Sequence, residues 1–553
     1  MTTVLAPSRS LADYATRYNA EDRELYRQDI PNSDALEWMD ANIPRFSCSD
    51  PLLEDIWHYR WWVFRKHIRS VPDGGRFITE FLPDVYWAGP YNSINCADGH
   101  HLAEAQWLRD GGELARQDAR FWFAGPGDVT SYSTWTVDSV MRYAIAQDDR
   151  DFAIGLLDDF VRFYHRVEAT NMTSYGLFWS YDDRDAMELS ISGSGLRPTL
   201  NSYMAANAAA ISQIAQWTGR GDLAEEFARK AADLRRLIQE LLWDTHASFF
   251  KVIPLDDRLG EVEHFDFAHI PAARNVRELL GYIPWMFGLA DGANADAWRF
   301  LADHEHFGGA VGPTTAERCH PGFMNNPDPH ECQWNGPSWP FATTQLLDAM
   351  LEALHHDVAG VSKGDFWREL RRYAAIHFRD DDERGRIHWL DEDLDPDSGE
   401  WISRRILESW GWRADKGGLE RGKDYNHSAF CDLIVRGVAG IRVDDVDGRS
   451  VITVAPQVPL GVADGGADGM MGNVADCASV ISGGVGVGAG PEVAALQWFR
   501  LEHVPVAGHD VTVVFDGDGT HVDVVGGPGL TVIMDGRSYH TGDMTNLRLS
   551  LPV

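Results

Sequence analysis

Basic residues are scarce in this chain: 49 Lys and Arg stand against 84 Asp and Glu, a formal charge of -35. Nucleic acid and anionic membranes both require a basic footprint, so neither suits it as a partner. No segment approaches the ~20 consecutive apolar residues of a bilayer span. The opening "MTTVLAPSRSLADYATRYNAEDREL" has no apolar run of the secretory-leader kind. Six scattered cysteines in 553 residues predict reduced thiols in a cytoplasm, not a disulfide scaffold. Internal repeats and cofactor signatures are lacking too. "GVGVGAG" in the Gly-rich stretch 463–491 has no strand-turn-helix context and is no dinucleotide fingerprint. Neither a cofactor nor a metal is expected.

Tryptophan, by contrast, is abundant: 21 residues, beside 16 Tyr and 25 Phe. An indole offers a broad apolar face and one donor, which suits the C–H face and hydroxyl rim of a sugar. A small carbohydrate becomes the expected partner.

Large apolar residues recur at three- and four-residue spacing in segments such as "LLEDIWHYRWWVFRKHI" (52–68), "SYMAANAAAISQIAQW" and "FATTQLLDAMLEALHH". That period is helical. About a dozen such helices alternate with long aromatic and Gly-rich loops, too long for connectors and therefore candidate binding surfaces. The expected fold is mainly α: an (α/α)6 toroid over 51–440 after an N-terminal extension, 1–50. From 441 to 553 the short β-branched runs "SVITVAP", "ALQWFRLEHV", "DVTVVF", "THVDVVG", "LTVIMDG" and "LRLSLPV" predict a small antiparallel β-sandwich.

Three stretches carry candidate chemistry. In "WSYDDRDAMELSISGSGLRPTLNSYM" (179–204), Trp179, Met187 and Leu189 hem in a group of acids ahead of Arg197 and Asn201. A carboxyl desolvated in this way stays protonated near neutrality, as a general acid must. In "ECQWNGPSWPFATTQLL" (331–347), Ser338 is placed to cap a helix, with Gly336 turning the chain and Trp334, Asn335 and Trp339 displayed from the loop. "YWAGPYNSINCADGHHLAEAQWLRD" (86–110) holds Trp87, Asn95, Asp98, His100 and His101. The two His lack the i, i+4 spacing of a helical metal site. Cys319, His320, His330 and Cys332 lack paired CxxC geometry.

A fourth stretch, "IHWLDEDLDPDSGEW", packs six carboxylates into ten residues. It is no EF-hand: counting from Asp391, the sixth position is Pro396 instead of Gly and the twelfth is Ile402 instead of Glu. A solvated acidic turn is the plain alternative.

Together these islands resemble the inverting (α/α)6-barrel glycosidases, namely trehalases and the family-63 and mannosylglycerate hydrolase-like enzymes. Their general acid lies in W-D-F-S or M-D-N-S, and "MELS" here puts Glu188 in that place. "WNGPSWPFATTQ" resembles their W-x-G/A-P-x-W strip. Their base lies in E-N-Y-D-P-x-T-G ahead of F-G-W-S-A. This chain has "EDLDPDSG" and then "YNHSAF", which nominates Glu392, with His427 in the following segment. "ADGHHLAEA" weakly resembles W-D-x-x-F and nominates Asp98. Two departures stand out: the acid is Glu, not Asp, and Asp393 follows the base where the family has Asn.

The resemblance implies exo-acting, inverting hydrolysis of a short oligosaccharide or glycoside, with Glu188 as acid and Glu392 as base. Trp87, Trp334 and Trp339 would wall the pocket, with Trp179 beside the acid. Asn95, Asp98, His100, Arg197, Asn201, Asn335 and His427 complete the expected substrate contacts. An α-mannoside or α-glucoside is the first expectation and an arabinofuranoside the second. The rival readings are a phosphorylase, an epimerase using His100, His320, His330 or His427, and a lectin.

Overall fold

The computed structural model describes residues 9–262, 265–461, 494–522 and 527–551. Two burial classes of helix build the architecture. Gly221–Leu237 buries only Ala224, Phe227 and Leu234, the single stripe of an amphipathic surface helix. Pro198–Trp217, just before it, buries most of its length, including Leu200, Met204, Ile211 and Ile214. A helix that is apolar all round belongs inside. The pairing recurs with buried Pro340–His355 and amphipathic Lys363–Ala375, which pack together.

The inner helices close a ring. Asp98–Ala105, Thr136–Ala146, Pro198–Trp217, Ile283–Met286 and Pro340–His355 each pack on the next. Thr344 Oγ1 then donates to the Ala429 carbonyl at 3.0 Å, just before the sixth member, Cys431–Leu433 and its wider continuation Ile434–Val438. Cys431–Leu433 packs back on Asp98–Ala105. Outside lie Pro51–Lys66, Glu113–Phe123, Leu157–Asn171, Gly221–Leu237, Gly292–Phe300 and Lys363–Ala375. This is the expected (α/α)6 toroid. Pro51–Lys66 is buried despite its outer position because Leu11–Glu21 and Ala35–Asn42 pack over it.

The C-terminal part is antiparallel β. One sheet runs in the order Arg45–Cys48, Trp498–Val506, His509–Asp516, Gly529–Met534, Arg537–Thr541, and a second joins Ile441–Val446, Arg449–Val454 and Leu549–Leu551. The edge strand of the first sheet comes from before residue 50, with Phe46 opposite Leu501. The Gly-rich stretch 463–491 and the end of "THVDVVG" lie outside the described residues.

One local expectation changes. Ser338 does not cap the helix: it exchanges backbone hydrogen bonds with Leu394 at 2.9 Å each way, and Trp339 precedes Pro340 in extended backbone. The last inner helix starts at Cys431, leaving 424–430 as a non-helical segment.

Candidate active site

The Glu188 loop is shaped by one buried ion pair. Asp185 accepts from Arg197 Nε (2.6 Å), Ser133 Oγ (2.6 Å) and Ser180 Oγ (2.8 Å), and from Thr199. Arg197, fully buried, also donates to Ser190 Oγ at 3.1 Å and the Gly193 carbonyl at 2.6 Å. The loop is thus gripped on both sides of Glu188, whose neighbour Leu189 has φ +60°. A left-handed leucine is held only where its surroundings over-determine it. Burial pushes the Glu188 carboxyl up to about 7, while the Cys332 thiol, donating at 2.9 Å, pulls it down.

Glu392 is buried. Arg421 pairs with its Oε1 and Ser403 Oγ donates to Oε2 at 3.2 Å. Burial pushes it up to about 8 against the direct pull of Arg421, and Asp391, Glu331 and Glu188 add repulsion. Glu188 and Glu392, remote in sequence, therefore sense each other. Asp391 accepts from the Glu392 amide at 2.9 Å and Trp389 Nε1 at 3.1 Å. A Cβ on Gly422 would stand 1.8 Å from Asp391 Oδ1, so glycine is required for this approach.

A single loop fastens both segments. The Trp334 amide donates to the Glu188 carbonyl at 2.9 Å, and Ser338 pairs with Leu394 two residues beyond Glu392. Trp334 stacks on Trp339 at 4.5 Å and 15°, and Trp339 meets His427 edge-on at 5.9 Å. The Trp87 ring centroid lies 5.5 Å from the Arg421 guanidinium, which pairs with Glu392.

A third carboxyl escaped the sequence reading. Glu80 is buried, accepts from Tyr425 Oη and from Cys96 Sγ (3.4 Å), and is pushed up to about 7 by burial, with Glu188 adding repulsion and Arg421 opposing. "RFITEF" carries no motif that marks it. Arg421 was also missed, although a buried glutamate requires a nearby cation.

Six predicted contacts are enclosed by other parts of the protein, five of them through hydrogen bonds. Asn95 binds the Val129 and Tyr132 carbonyls at 2.8 Å each and accepts from Ser131 Oγ and the Tyr132 amide. Asp98, fully buried, lies against Asp118, Thr136 and Trp122. Trp179 Nε1 donates to the Leu255 carbonyl at 2.7 Å. Arg197 holds the Glu188 loop, and Asn201 bridges the Phe178 amide and carbonyl. Asn335 pairs with Asn326 at 3.0 Å. A seventh, His100, is buried edge-on between Trp135 and Phe341 and borders a separate polar cavity of about 190 Å³ at the far end of the inner helices, with Asp348, Glu352 and Arg436.

Among the described residues, His306, Glu317 and Cys319 form the one grouping with metal-ligand spacing. Arg277 donates to Glu317 at 2.7 Å, a charge any cation there would have to displace.

A double-ringed helical toroid that holds the carboxyls Glu80, Glu188 and Glu392, each raised by burial, between its helices is an arrangement that fits a glycoside hydrolase fold. Residues 90–428 match the model of the mannosylglycerate hydrolase MGH1-like glycoside hydrolase domain, and the chain belongs to that family. Among solved structures it is similar to one titled sialidase, with 32% identity and a TM-score of 0.80 over 98% of this chain and 44% of that one. The chain thus spans less than half the length of that protein. It is also similar to the GH78 family rhamnosidase of Bacillus sp. GL1, with 14% identity and a TM-score of 0.49 over 89% of this chain and 41% of that one. A third is the GH63 mannosylglycerate hydrolase of Thermus thermophilus, with 12% identity and a TM-score of 0.45 over 68% and 98%. Comparison with curated proteins gives no match.

Proposed function

We propose that this glycoside hydrolase cleaves the bond to a neutral sugar with inversion, Glu188 protonating the leaving oxygen and Glu392 activating water. The carrying observation is the presence of two carboxyls raised by burial, Glu188 up to about 7 and Glu392 to about 8, with Glu188 adding repulsion at Glu392. The working state, Glu188 protonated and Glu392 ionised, is the reverse of their resting order, so a fraction of the enzyme carries it. Arg421 cannot give up its proton, and its contact pulls the Glu392 pKa down, which enlarges that fraction.

Glu392 is covered by Arg421 and Ser403. Inversion is what the family resemblance implies, and it requires the two carboxyls to stand ~6.5–9.5 Å apart to admit the attacking water. Glu80 would accept a ring hydroxyl proton. An acidic sugar is opposed by Glu80, Glu188, Glu331 and Glu392, with Arg421 already committed. The same commitment removes the cation a phosphorylase would use for phosphate. The five described cysteines are unpaired, which supports a reducing compartment such as the cytoplasm. An exo-acting α-mannosidase or α-glucosidase remains the first reading of substrate and an arabinofuranosidase the second.

The test is a panel of 4-nitrophenyl pyranosides and furanosides, with NMR of the first-formed anomer. Glu188→Gln and Glu392→Gln should each lose ~10²–10⁴-fold in kcat. Near wild-type turnover in either, or retention of configuration, would overturn the mechanism.

A further inference from the structure

Most large apolar side chains of this protein are buried, yet Tyr86 is 79% exposed. It stands in the short turn Tyr86–Ala88, and that turn is fixed. Asn92 Oδ1 accepts from the Val85 amide at 2.9 Å, and its Nδ2 donates to the Pro83 carbonyl at 2.9 Å. The Ser93 amide closes on the Ala88 carbonyl at 2.9 Å. An exposed aromatic on a tethered loop loses little freedom when something covers it.

Tyr86 also leads inward. Its ring stands perpendicular to Trp87 at 5.0 Å, Trp87 lies 5.5 Å from the Arg421 guanidinium, and Arg421 pairs with Glu392. A continuous run of contacts therefore joins the outermost aromatic to the carboxylate assigned to water activation. Trp87 is itself part-buried, so the two rings present an apolar step between solvent and Arg421. Aromatic faces of this kind suit the C–H face of a sugar, with the tyrosine hydroxyl left in water.

We infer that Tyr86 and Trp87 form a second sugar-binding subsite, on which a further unit of a neutral oligosaccharide stacks while its neighbour occupies the catalytic pocket. The inference rests on the glycosidase reading above and narrows it: a linked chain, not an isolated glycoside, is the substrate the surface is built to take.

Equilibrium binding tests this without turnover. In a Glu188→Gln background, tryptophan fluorescence is titrated with mannotetraose, maltotetraose and arabinotetraose, and with the three corresponding monosaccharides. At least one tetramer should bind about tenfold more tightly than its monosaccharide, the equivalent of ~1.4 kcal/mol. Tyr86→Ala should remove that advantage and Tyr86→Trp should keep it. Loss of the advantage in Tyr86→Ala with its restoration in Tyr86→Trp excludes misfolding as the cause. The subsite is refuted if no tetramer shows an advantage, including if none binds, or if Tyr86→Ala retains it. Failure of the catalytic reading would appear separately, as wild-type turnover by Glu188→Gln or Glu392→Gln, and would leave the binding result standing.

Discussion

Arg421 pulls the Glu392 carboxyl toward ionisation, against the burial that raises it above Glu188. Below about 7 a second proton joins the pair and the base is lost; above about 8 both are ionised and the acid is lost. Activity is therefore expected to be bell-shaped with its maximum between these limits. Replacing Arg421 by Met removes the charge that favours ionised Glu392, so its pKa, already the higher of the two, rises and the alkaline limb of kcat should move to higher pH. Cys332→Ala works on the other limb: the thiol's hydrogen bond lowers the Glu188 pKa, so its loss should move the acidic limb upward. Profiles of kcat against pH check both, and an unmoved limb in either variant would refute its assignment. At this scale ordered islands in the sequence nominated Glu188 and Glu392, and both are loop carboxyls raised by burial. It was silent on Glu80, a lone acid in an apolar run. It misled at Asn95, Arg197, Asn201 and Asn335, because residue type tells that a group is polar and not whether nearby backbone will consume it.

Secondary elements matter here chiefly for the loops they suspend. Asp185 and Arg197 form the hub of the Glu188 loop, one at its base and the other just before Pro198, where an inner helix begins. Both side chains are fully buried, so removing one charge strands the other. Asp185→Asn should therefore lower stability by about 3–5 kcal/mol and lower kcat, since the loop that aims Glu188 loses its anchor. Chemical denaturation and steady-state kinetics test this, and a wild-type midpoint would show that the pair does not set the loop. Helical periodicity exposed the inner and outer helices because burial on all sides and burial on one stripe leave different patterns. Ser338 was misplaced as a cap because a Ser-x-Pro helix start looks the same whether or not a distant strand claims its backbone. The claim comes from Leu394, and it brings the tryptophan loop to the Glu392 segment.

Across the whole molecule, the segment before residue 50 ties the toroid to both the site and the C-terminal sheet. Its strand Arg45–Cys48 pairs with Trp498–Val506, a partner over 400 positions away that no local pattern could reveal. Its other tie is a buried quartet: Asp22 accepts from Lys66 Nζ at 2.9 Å and Lys423 Nζ at 2.7 Å, and Asp424 accepts from both lysines. Asp424 also takes the Tyr59 hydroxyl at 2.7 Å. Burial works against ionisation of Asp424, but the two lysines hold its pKa below the usual carboxylate range, and they do the same for Asp22. A depressed folded-state pKa contributes stability above the unfolded value of ~3.9, and that contribution fades as pH falls below it. Asp424→Asn leaves two buried lysines facing one aspartate, an uncompensated charge expected to cost about 3–5 kcal/mol. Because His427 follows Asp424 by three residues, the same change should also loosen the wall against Trp339 and reduce turnover. Unfolding midpoints across pH 3 to 7, each compared with the wild-type curve, test the quartet. The deficit should be full at pH 7 and begin to shrink toward pH 3, where the unfolded chain protonates its aspartates while the folded quartet stays ionised; a deficit that is constant with pH would assign the loss to packing instead of charge.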